Sequence, residues 1–201
     1  MLKVGLTGGL ACGKTFVGEE LARLGCYIVQ ADEIGHEVLA PGGEAYRPVI
    51  EEFGPGILTP DGHIDRRLLA AGVFGAPERL AKLNSLVHPA VFRREEQLMT
   101  GFAARDPHGI AVVEAAILIE TGSYGRFDRM VLVTCAEEQQ VDRAMRREGA
   151  LEADVRARLS RQMPLEEKRK YADFVISTAG DKEDTIRQTR AVYEALRSIQ
   201  T

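Results

Sequence analysis

Five short apolar runs alternate along the chain with stretches of helical periodicity. The runs cover residues 3–7, 26–30, 110–114, 130–134 and 174–177, and each is short and apolar enough to form a buried strand. Apolar residues recur at helical spacing over 16–24, 34–39, 46–53, 65–105, 137–148, 152–162 and 182–199. Strands separated by helices predict an α/β fold, with a five-stranded parallel sheet covered by helices on both faces.

Glycine and proline mark the ends of the predicted helices. Gly25 ends the first helix, and Pro41-Gly42-Gly43 and Gly54-Pro55-Gly56 end the next two. Within 65–105 we predict one break at Gly75-Ala76-Pro77 and another at His88-Pro89. The second break is expected because a residue that precedes proline favours extended backbone.

The first strand leads directly into a phosphate-binding motif. Residues 8–15 read Gly-Gly-Leu-Ala-Cys-Gly-Lys-Thr, which matches G-x-x-x-x-G-K-[ST] between a strand and a helix. Lys14 is expected to reach the β- and γ-phosphates, and the Thr15 hydroxyl to bind Mg²⁺. The alternative is a glycine-rich turn that opens an ordinary helix, which the strand–loop–helix order disfavours. The expected nucleotide-binding residues are Gly8, Gly9, Ala11, Cys12, Gly13, Lys14, Thr15 and Phe16.

Length and composition indicate one soluble domain over residues 1–201. No run reaches 18 apolar residues and the N-terminus enters a strand, so we expect a cytoplasmic protein without a membrane segment. The three cysteines have no metal-ligand spacing, which favours reduced thiols. A net charge of −4 argues against a general nucleic-acid binder.

The segment 140–170 is locally basic, with nine Lys or Arg against six Asp or Glu, a net charge of +3. This excess predicts contact with an anion, although a solvated helix face would have the same pattern.

Cys12 lies beside Lys14 and just before a helix N-terminus, so we expect its pKa to be lowered and its thiol to react first with alkylating reagents. We expect Cys26 and Cys135 to be shielded by packing.

Two carboxylates follow strands of the predicted sheet. Asp32 lies just beyond the second strand and Glu114 ends the third, and ligands bind beyond the carboxyl ends of parallel strands. Residues 32–35 match the GTPase pattern D-x-x-G, but the guanine-reading pattern Asn-Lys-x-Asp is missing because the one asparagine, Asn84, precedes Ser85. A small-molecule kinase therefore fits better than a GTPase, and better than a motor or transport ATPase.

The chain resembles the dephospho-CoA kinases from Val4 to the region of Gly180. The matching blocks, in order, are Gly5–Leu10 with Gly13-Lys14-Thr15, Ala31-Asp32 with His36-Glu37-Val38, Leu86–Pro89, Glu114–Glu120, then Gln140, Arg143, Arg147, Arg158, Gln162-Met163 and Ala172–Ile176. Their order and spacing make the resemblance specific. Departures from the common family pattern occur at Gln30, at Ala11-Cys12 (often Gly-Ser) and at Thr178 (commonly Asn).

The resemblance implies a three-layer P-loop kinase fold with a helical acceptor subdomain at about 60–109 and a helical lid at about 139–168. It also implies ATP-dependent phosphorylation of the 3′-hydroxyl of the dephospho-CoA ribose, with Mg²⁺. Catalytic roles are expected for Asp32, Lys14, Arg143 and Arg147, substrate contacts for His88, Leu118 and Glu120, metal binding for Thr15 and Asp32, and an outer-shell place near Mg²⁺ for Glu114.

Other interpretations of these residues remain. Asp32 suits a helix N-cap, the two arginines suit an exposed helix face, and His88 and Leu118 suit purely structural positions. The whole chain could also be a P-loop nucleoside or nucleotide kinase, or a nucleotide-binding regulator without catalysis. The expected partner is a small-molecule substrate, and the expected state is a monomer, with an oligomer as the alternative.

Overall fold

The computed structural model describes residues 1–199. These form two compact units, one of Met1–Val29 with the chain from Gly101 onward and the other of Gln30–Thr100. The strands are β1 (Leu2–Gly8), β2 (Tyr27–Gln30), β3 (Ile110–Glu114), β4 (Arg129–Thr134) and β5 (Phe174–Ser177). The helices are α1 (Lys14–Arg23), α2 (Ala31–Leu39), α3 (Tyr46–Phe53), α4 (Arg66–Val73), α5 (Pro77–Arg105), α6 (Glu137–Glu148), α7 (Glu152–Leu159), α8 (Leu165–Arg169) and α9 (Lys182–Ile199).

The sheet has the strand order β2-β3-β1-β4-β5, which places β1 at its centre. β1 pairs in parallel with β3 and with β4, and β4 pairs in parallel with β5. Alternate residues of the strands, such as Val4, Val112 and Val133, join one buried cluster with apolar residues of α1 and α9. Burial of strands on both faces explains why they read as continuous apolar runs.

The predicted α/β class is confirmed, and each predicted strand occurs within one residue of its expected bounds. The break predicted at Gly75-Ala76-Pro77 is also present. α4 ends at Val73, Gly75 has a φ of 72°, and Pro77 opens α5, the first helical position being one where proline fits well.

The break predicted at His88-Pro89 is wrong, because α5 continues through Pro89 to Arg105. His88 is therefore helical rather than extended. A proline removes one backbone donor and strains one turn, whereas Ala90 and Val91, which follow Pro89 directly, are buried and anchor the helix there. Tertiary packing here outweighs the local preference.

The Gln30–Thr100 unit is helical. Asp65 caps α4 by accepting hydrogen bonds from the backbone N–H groups of Arg67 and Leu68, at 2.8 and 3.2 Å. An ion pair of 2.9 Å between Arg94 and Glu37 links α5 with α2. The unit begins well before the predicted acceptor subdomain of 60–109. Within residues 1–199, every helix is too short or too polar to cross a lipid bilayer.

The turn after α2 depends on the missing side chain of Gly43. A Cβ atom at Gly43 would lie 2.5 Å from the carbonyl oxygens of both Glu37 and Val38, which are backbone atoms that cannot rotate away. We expect Gly43→Ala to lower the free energy of unfolding by about 1–3 kcal/mol, the usual cost of overpacking. Gly72→Ala in α4 is the matched control, because a Cβ there meets nothing within 4 Å. It should leave stability unchanged or raise it by about 0.5–1 kcal/mol, and equal urea-unfolding curves for the two variants would contradict the prediction.

Candidate active site

Residues 8–15 join β1 to α1 in a loop whose course needs residues without side chains. A Cβ on Gly8 would lie 2.4 Å from the carbonyl oxygen of Val133 on the neighbouring strand. Gly13 is the N-cap of α1 with a φ of 83°, and Ala11 has a φ of 53°. The predicted strand–loop–helix order is therefore present, with the loop leading into the N-terminus of a helix, where an anion is favoured.

The Lys14 side chain folds back over this loop. Its Nζ donates hydrogen bonds to the carbonyl oxygens of Gly9, at 3.0 Å, and Gly8, at 3.3 Å. The ammonium group thus lies where the positive end of α1 already favours an anion. Phe16, another predicted nucleotide contact, has the Lys182 ammonium 5.9 Å from its ring centroid.

The next residue of the loop is bonded to the end of β3. The Thr15 hydroxyl donates to Oε1 of Glu114 at 2.9 Å, and Glu114 is 9% exposed. Both groups offer the oxygen ligands that Mg²⁺ prefers, although Mg²⁺ also keeps several waters and phosphate oxygens. Residues 1–199 hold no cluster of three or more His, Cys, Asp or Glu side chains arranged for a metal ion.

Arg143 of α6 is anchored beside the loop through Thr178, which follows β5. Its guanidinium donates to the Thr178 hydroxyl at 2.9 Å and to the Thr178 carbonyl at 2.6 Å. The same hydroxyl donates to the carbonyl oxygen of Cys12 at 2.8 Å. Three segments that are remote in sequence therefore meet at Thr178, and a cationic group is fixed at the carboxyl ends of the strands.

Arg147 has different partners, although it lies one helical turn from Arg143. It is paired with Glu148, which also pairs with Arg158, and its side chain is 61% exposed. These two arginines lower the pKa of the Glu148 carboxyl. The guanidinium groups of Arg143 and Arg147 thus do not share one binding partner in this structure.

Asp32 and His88 belong to the Gln30–Thr100 unit. Asp32 lies in the first turn of α2, whose N-cap is Gln30, so the alternative that Asp32 is the N-cap is wrong. Its carboxylate is exposed and makes no hydrogen bond or ion pair with any residue among 1–199. His88 is half-buried, which lowers its pKa, and its ring centroid is 6.0 Å from that of Phe92.

The two candidate substrate residues after β3 differ in environment. Leu118 is 4% exposed and packs close to Gly5, so it belongs to the interior and exposes little surface to a ligand. Glu120 is 20% exposed and forms a 2.8 Å ion pair with Lys168, whose side chain is fully buried.

Lys168 is the centre of a buried polar network. Its ammonium also donates to the Ala116 carbonyl at 3.0 Å, and the Thr7 hydroxyl donates to the same oxygen at 3.2 Å. Glu120 Oε1 accepts a hydrogen bond of 3.3 Å from the backbone N–H of Met163. The network therefore ties the end of β1, the segment after β3 and the segment before α8 together.

A neighbouring side chain reaches the phosphate-binding loop itself. Gln162 Oε1 accepts a 3.0 Å hydrogen bond from the backbone N–H of Leu10. Gln162 belongs to a block of the family resemblance, but the sequence indicated no contact for it, and Lys168 was not among the predicted site residues. Lys168 stands in the run Glu-Glu-Lys-Arg-Lys, which is typical of a solvated helix, and no local signal marks its burial.

The expectation for Cys12 is wrong. Its side chain has no solvent exposure, and its contact with Cys135 together with burial raises its pKa. The attraction of the Lys14 ammonium acts in the predicted direction but is outweighed. The lowered pKa belongs instead to Cys135, which falls to about 7, chiefly through its contact with Cys12.

Known proteins match the chain over almost its full length. The sequence profile of the dephospho-CoA kinases matches residues 2–184. The chain belongs to the dephospho-CoA kinase family. It is 38% identical over 196 residues to the dephospho-CoA kinase of Aquifex aeolicus, covering 98% of both chains. It is 41% identical over 192 residues to that of Geobacillus kaustophilus, covering 95% of this chain and 94% of the relative.

A solved structure agrees with the fold. The crystal structure of TT1252 from Thermus thermophilus superimposes with a TM-score of 0.83 at 30% identity, covering 96% of both chains. Membership of a kinase family implies ATP as a substrate and a small molecule as the acceptor.

The buried ion pair makes a testable contribution to stability. Lys168→Met leaves the Glu120 carboxylate without its ion-pair partner. We expect the free energy of unfolding to fall by about 2–4 kcal/mol. This loss is smaller than for a fully buried pair because the Glu120 side chain is partly exposed. In the double variant Lys168→Met/Glu120→Gln, part of this loss should be recovered because no unpaired charge remains.

The exposed Lys170, paired with Glu167 in the same segment, is the matched control. Lys170→Met should change the free energy of unfolding by less than about 0.5 kcal/mol. Urea unfolding of the wild type, Lys168→Met, Glu120→Gln and the double variant measures the cycle, and Lys170→Met is unfolded beside them. Strictly additive effects of the Lys168 and Glu120 substitutions would show that the two side chains do not interact.

Proposed function

We propose that the protein transfers the γ-phosphoryl group of ATP to the 3′-hydroxyl of the dephospho-CoA ribose, which completes coenzyme A biosynthesis. The observation that carries the proposal is the family match over residues 2–184, which includes the phosphate-binding loop, Asp32, Arg143 and Arg147. The reaction needs in-line placement of two substrates and compensation for charge that develops during transfer.

The loop supplies the nucleotide site. Backbone N–H groups of residues 8–15, together with the Lys14 ammonium, hold the β- and γ-phosphates, and Phe16 lies beside them. When the phosphates arrive, Lys14 exchanges its bonds to the carbonyls of Gly8 and Gly9 for bonds to phosphate oxygens. This exchange is supported by the position of Nζ, within 3.3 Å of both carbonyl oxygens.

The Thr15 hydroxyl, bonded to Glu114 at the end of β3, and the Asp32 carboxylate after β2 are oxygen donors of the kind that Mg²⁺ prefers. We assign Thr15 and Asp32 as the residues that would hold Mg²⁺, with Glu114 orienting the Thr15 hydroxyl through their 2.9 Å hydrogen bond. When bound, Mg²⁺ would supply positive charge that offsets the charge of the phosphates.

Asp32 accepts the proton of the ribose hydroxyl, or orients that hydroxyl for attack. An exposed carboxylate without a partner among residues 1–199 has lone pairs available for such a proton. Its position two residues after β2 supports the assignment, because functional groups in sheets of this kind follow the carboxyl ends of strands.

Arg143 and Arg147 compensate for the charge on the transferring group. Arg143 is already held next to the loop by Thr178. Arg147 reaches the phosphates after leaving Glu148, within a lid that we assign to about 139–168.

The acceptor site includes His88, Leu118 and Glu120. His88 belongs to an acceptor subdomain that we assign to about 60–109, and Leu118 forms part of the wall behind the pantetheine arm.

The decisive experiment is an ADP-release assay with dephospho-CoA, adenosine, AMP and pantothenate as acceptors. We expect turnover with dephospho-CoA alone, and none with an analogue that lacks the 3′-hydroxyl. Faster turnover with adenosine or AMP would establish the alternative of a nucleoside or nucleotide kinase, and no turnover with any acceptor would indicate a nucleotide-binding regulator.

We further propose that the enzyme acts in the cytoplasm as a monomer and that nucleic acid is not among its partners.

Removal of the proposed base should affect turnover more than nucleotide binding. Asp32→Asn keeps the size of the side chain but removes its charge, and we expect kcat to fall by about 10²–10⁴-fold with the Kd of ATP nearly unchanged. Glu33→Gln, at the adjacent exposed position, should behave like the wild type. Near-normal turnover by Asp32→Asn would remove Asp32 from the mechanism.

Arg143 and Arg147 of α6 should act on the transition state. Arg143→Ala and Arg147→Ala are each expected to lower kcat by about 10²-fold or more, with smaller changes in KM, because the guanidinium groups interact with charge that appears during transfer. Arg146→Ala is the control, since the Arg146 side chain is 79% exposed and pairs with Asp142 along its own helix. An effect confined to KM would instead make these residues ground-state contacts.

A further inference from the structure

Two thiols meet beneath the phosphate-binding loop. The sulfur atoms of Cys12, within the loop, and Cys135, the first residue after β4, are 3.5 Å apart. Cys12 is fully buried, and Cys135 is 8% exposed. Since both thiols are free, the pair lies in van der Waals contact without a covalent bond.

Cys135 is the accessible member of the pair. It lines a cavity of about 760 Å³ whose wall also includes Gly9, Gln140 and Gln162, whereas Cys12 has no solvent exposure and is not among the residues of that wall. Cationic and hydroxyl groups face the sulfur. The contact with Cys12, followed by the Arg143 guanidinium, the Thr178 hydroxyl and the Lys14 ammonium, lowers the pKa of the Cys135 thiol, which favours its nucleophilic thiolate.

Cys12 is better placed to react with an oxidised Cys135 than to react first with an oxidant from solvent. Its contact with Cys135 and its burial raise its pKa, and its side chain has no solvent exposure. The third cysteine, Cys26, is also buried, which raises its pKa to about 12. The difference in environment therefore selects Cys135 as the site of initial attack and Cys12 as the thiol that follows.

We propose that Cys12 and Cys135 form a redox modification site, in which a peroxide converts the thiol pair into an intrachain disulfide that disables the phosphate-binding loop. The Cys135 thiolate attacks one oxygen of hydrogen peroxide. The O–O bond breaks, Cys135 becomes a sulfenic acid, and the released hydroxide takes a proton to form water. Cys12 then attacks the oxidised sulfur, an S–S bond forms, and the hydroxyl group leaves as a second water with the proton of Cys12. In sum, two thiols lose two electrons and hydrogen peroxide becomes two waters.

The disulfide changes the loop because a covalent S–S bond is about 2.0 Å long, so the two sulfur atoms must approach by roughly 1.5 Å. Cys12 immediately precedes Gly13 and Lys14, and its carbonyl accepts the hydrogen bond of Thr178 that also connects to Arg143. A shift of Cys12 therefore displaces the groups assigned to phosphate binding. This loss of function rests on the proposed function, whereas formation of the disulfide does not.

The test treats the full chain with increasing hydrogen peroxide and blocks the remaining thiols with iodoacetamide in denaturant. Peptides are then mapped without reduction, and kinase activity and ATP binding are measured on the same samples. We expect a linked peptide pair containing Cys12 and Cys135, with the mass of two hydrogens lost. Both ATP binding and activity should fall in proportion to this product, and dithiothreitol should restore them.

Variants of the accessible thiol separate this modification from general oxidative damage. Cys135→Ala should have normal activity when reduced and should be inactivated at least tenfold more slowly by peroxide. Cys135→Ser serves the same purpose if the alanine variant does not fold. Cys26→Ala is the matched control and should lose activity at the wild-type rate.

Three outcomes would overturn the proposal: no linked Cys12–Cys135 peptide when activity is lost, equal inactivation of the Cys135 and Cys26 variants, or full ATP binding by the disulfide form. The mapping and the ATP-binding measurement need no acceptor substrate. Failure of the proposed dephospho-CoA reaction is therefore distinguishable from failure of the modification.

Discussion

The close approach of β1 and β4 at Gly8 is the constraint on which the candidate site depends. β1 is the central strand, and its last residue lies so near the Val133 carbonyl that a Cβ atom would overlap it at 2.4 Å. Because the chain leaves the sheet at this point without a side chain, the loop can turn tightly into α1. The positions of Lys14 over the loop and of Thr15 against Glu114 follow from that turn.

The sequence predicted best those features that depend on local chemistry. A strand buried on both faces is largely apolar, so the run Ile110–Val113 with Glu114 at its end allowed β3 to be recognised with its correct bounds. The phosphate-binding loop could be recognised because its glycines and lysine occur at fixed spacing between a strand and a helix. Pro89 shows the limit of this reasoning, since buried neighbours keep α5 continuous where local backbone preference predicts a break.

Features that depend on contacts remote in sequence could not be predicted. Lys168 lies in a charged run, and only its pairing with Glu120 and the Ala116 carbonyl explains its burial. Arg143 and Arg147 share a helical face by spacing, yet Thr178 and Glu148 hold them differently. For Cys12 the local charges indicated a reactive thiol, and the sulfur of Cys135, contributed by another strand, reverses that conclusion.

The folded-back position of Lys14 has a consequence for ligand discrimination. Its ammonium already has two carbonyl acceptors. The binding free energy that a ligand gains from Lys14 is therefore only the difference between the ammonium–ligand interaction and the interactions with these two neutral carbonyl groups. A nucleoside, or an anion carrying a single weak charge, gains little from this exchange. A polyphosphate gains much more, because several charged oxygens replace those dipoles at once. The loop without ligand therefore binds weakly charged anions poorly. Its selectivity for polyphosphates arises because phosphate oxygens must compete with the backbone carbonyls of Gly8 and Gly9 for the Lys14 ammonium.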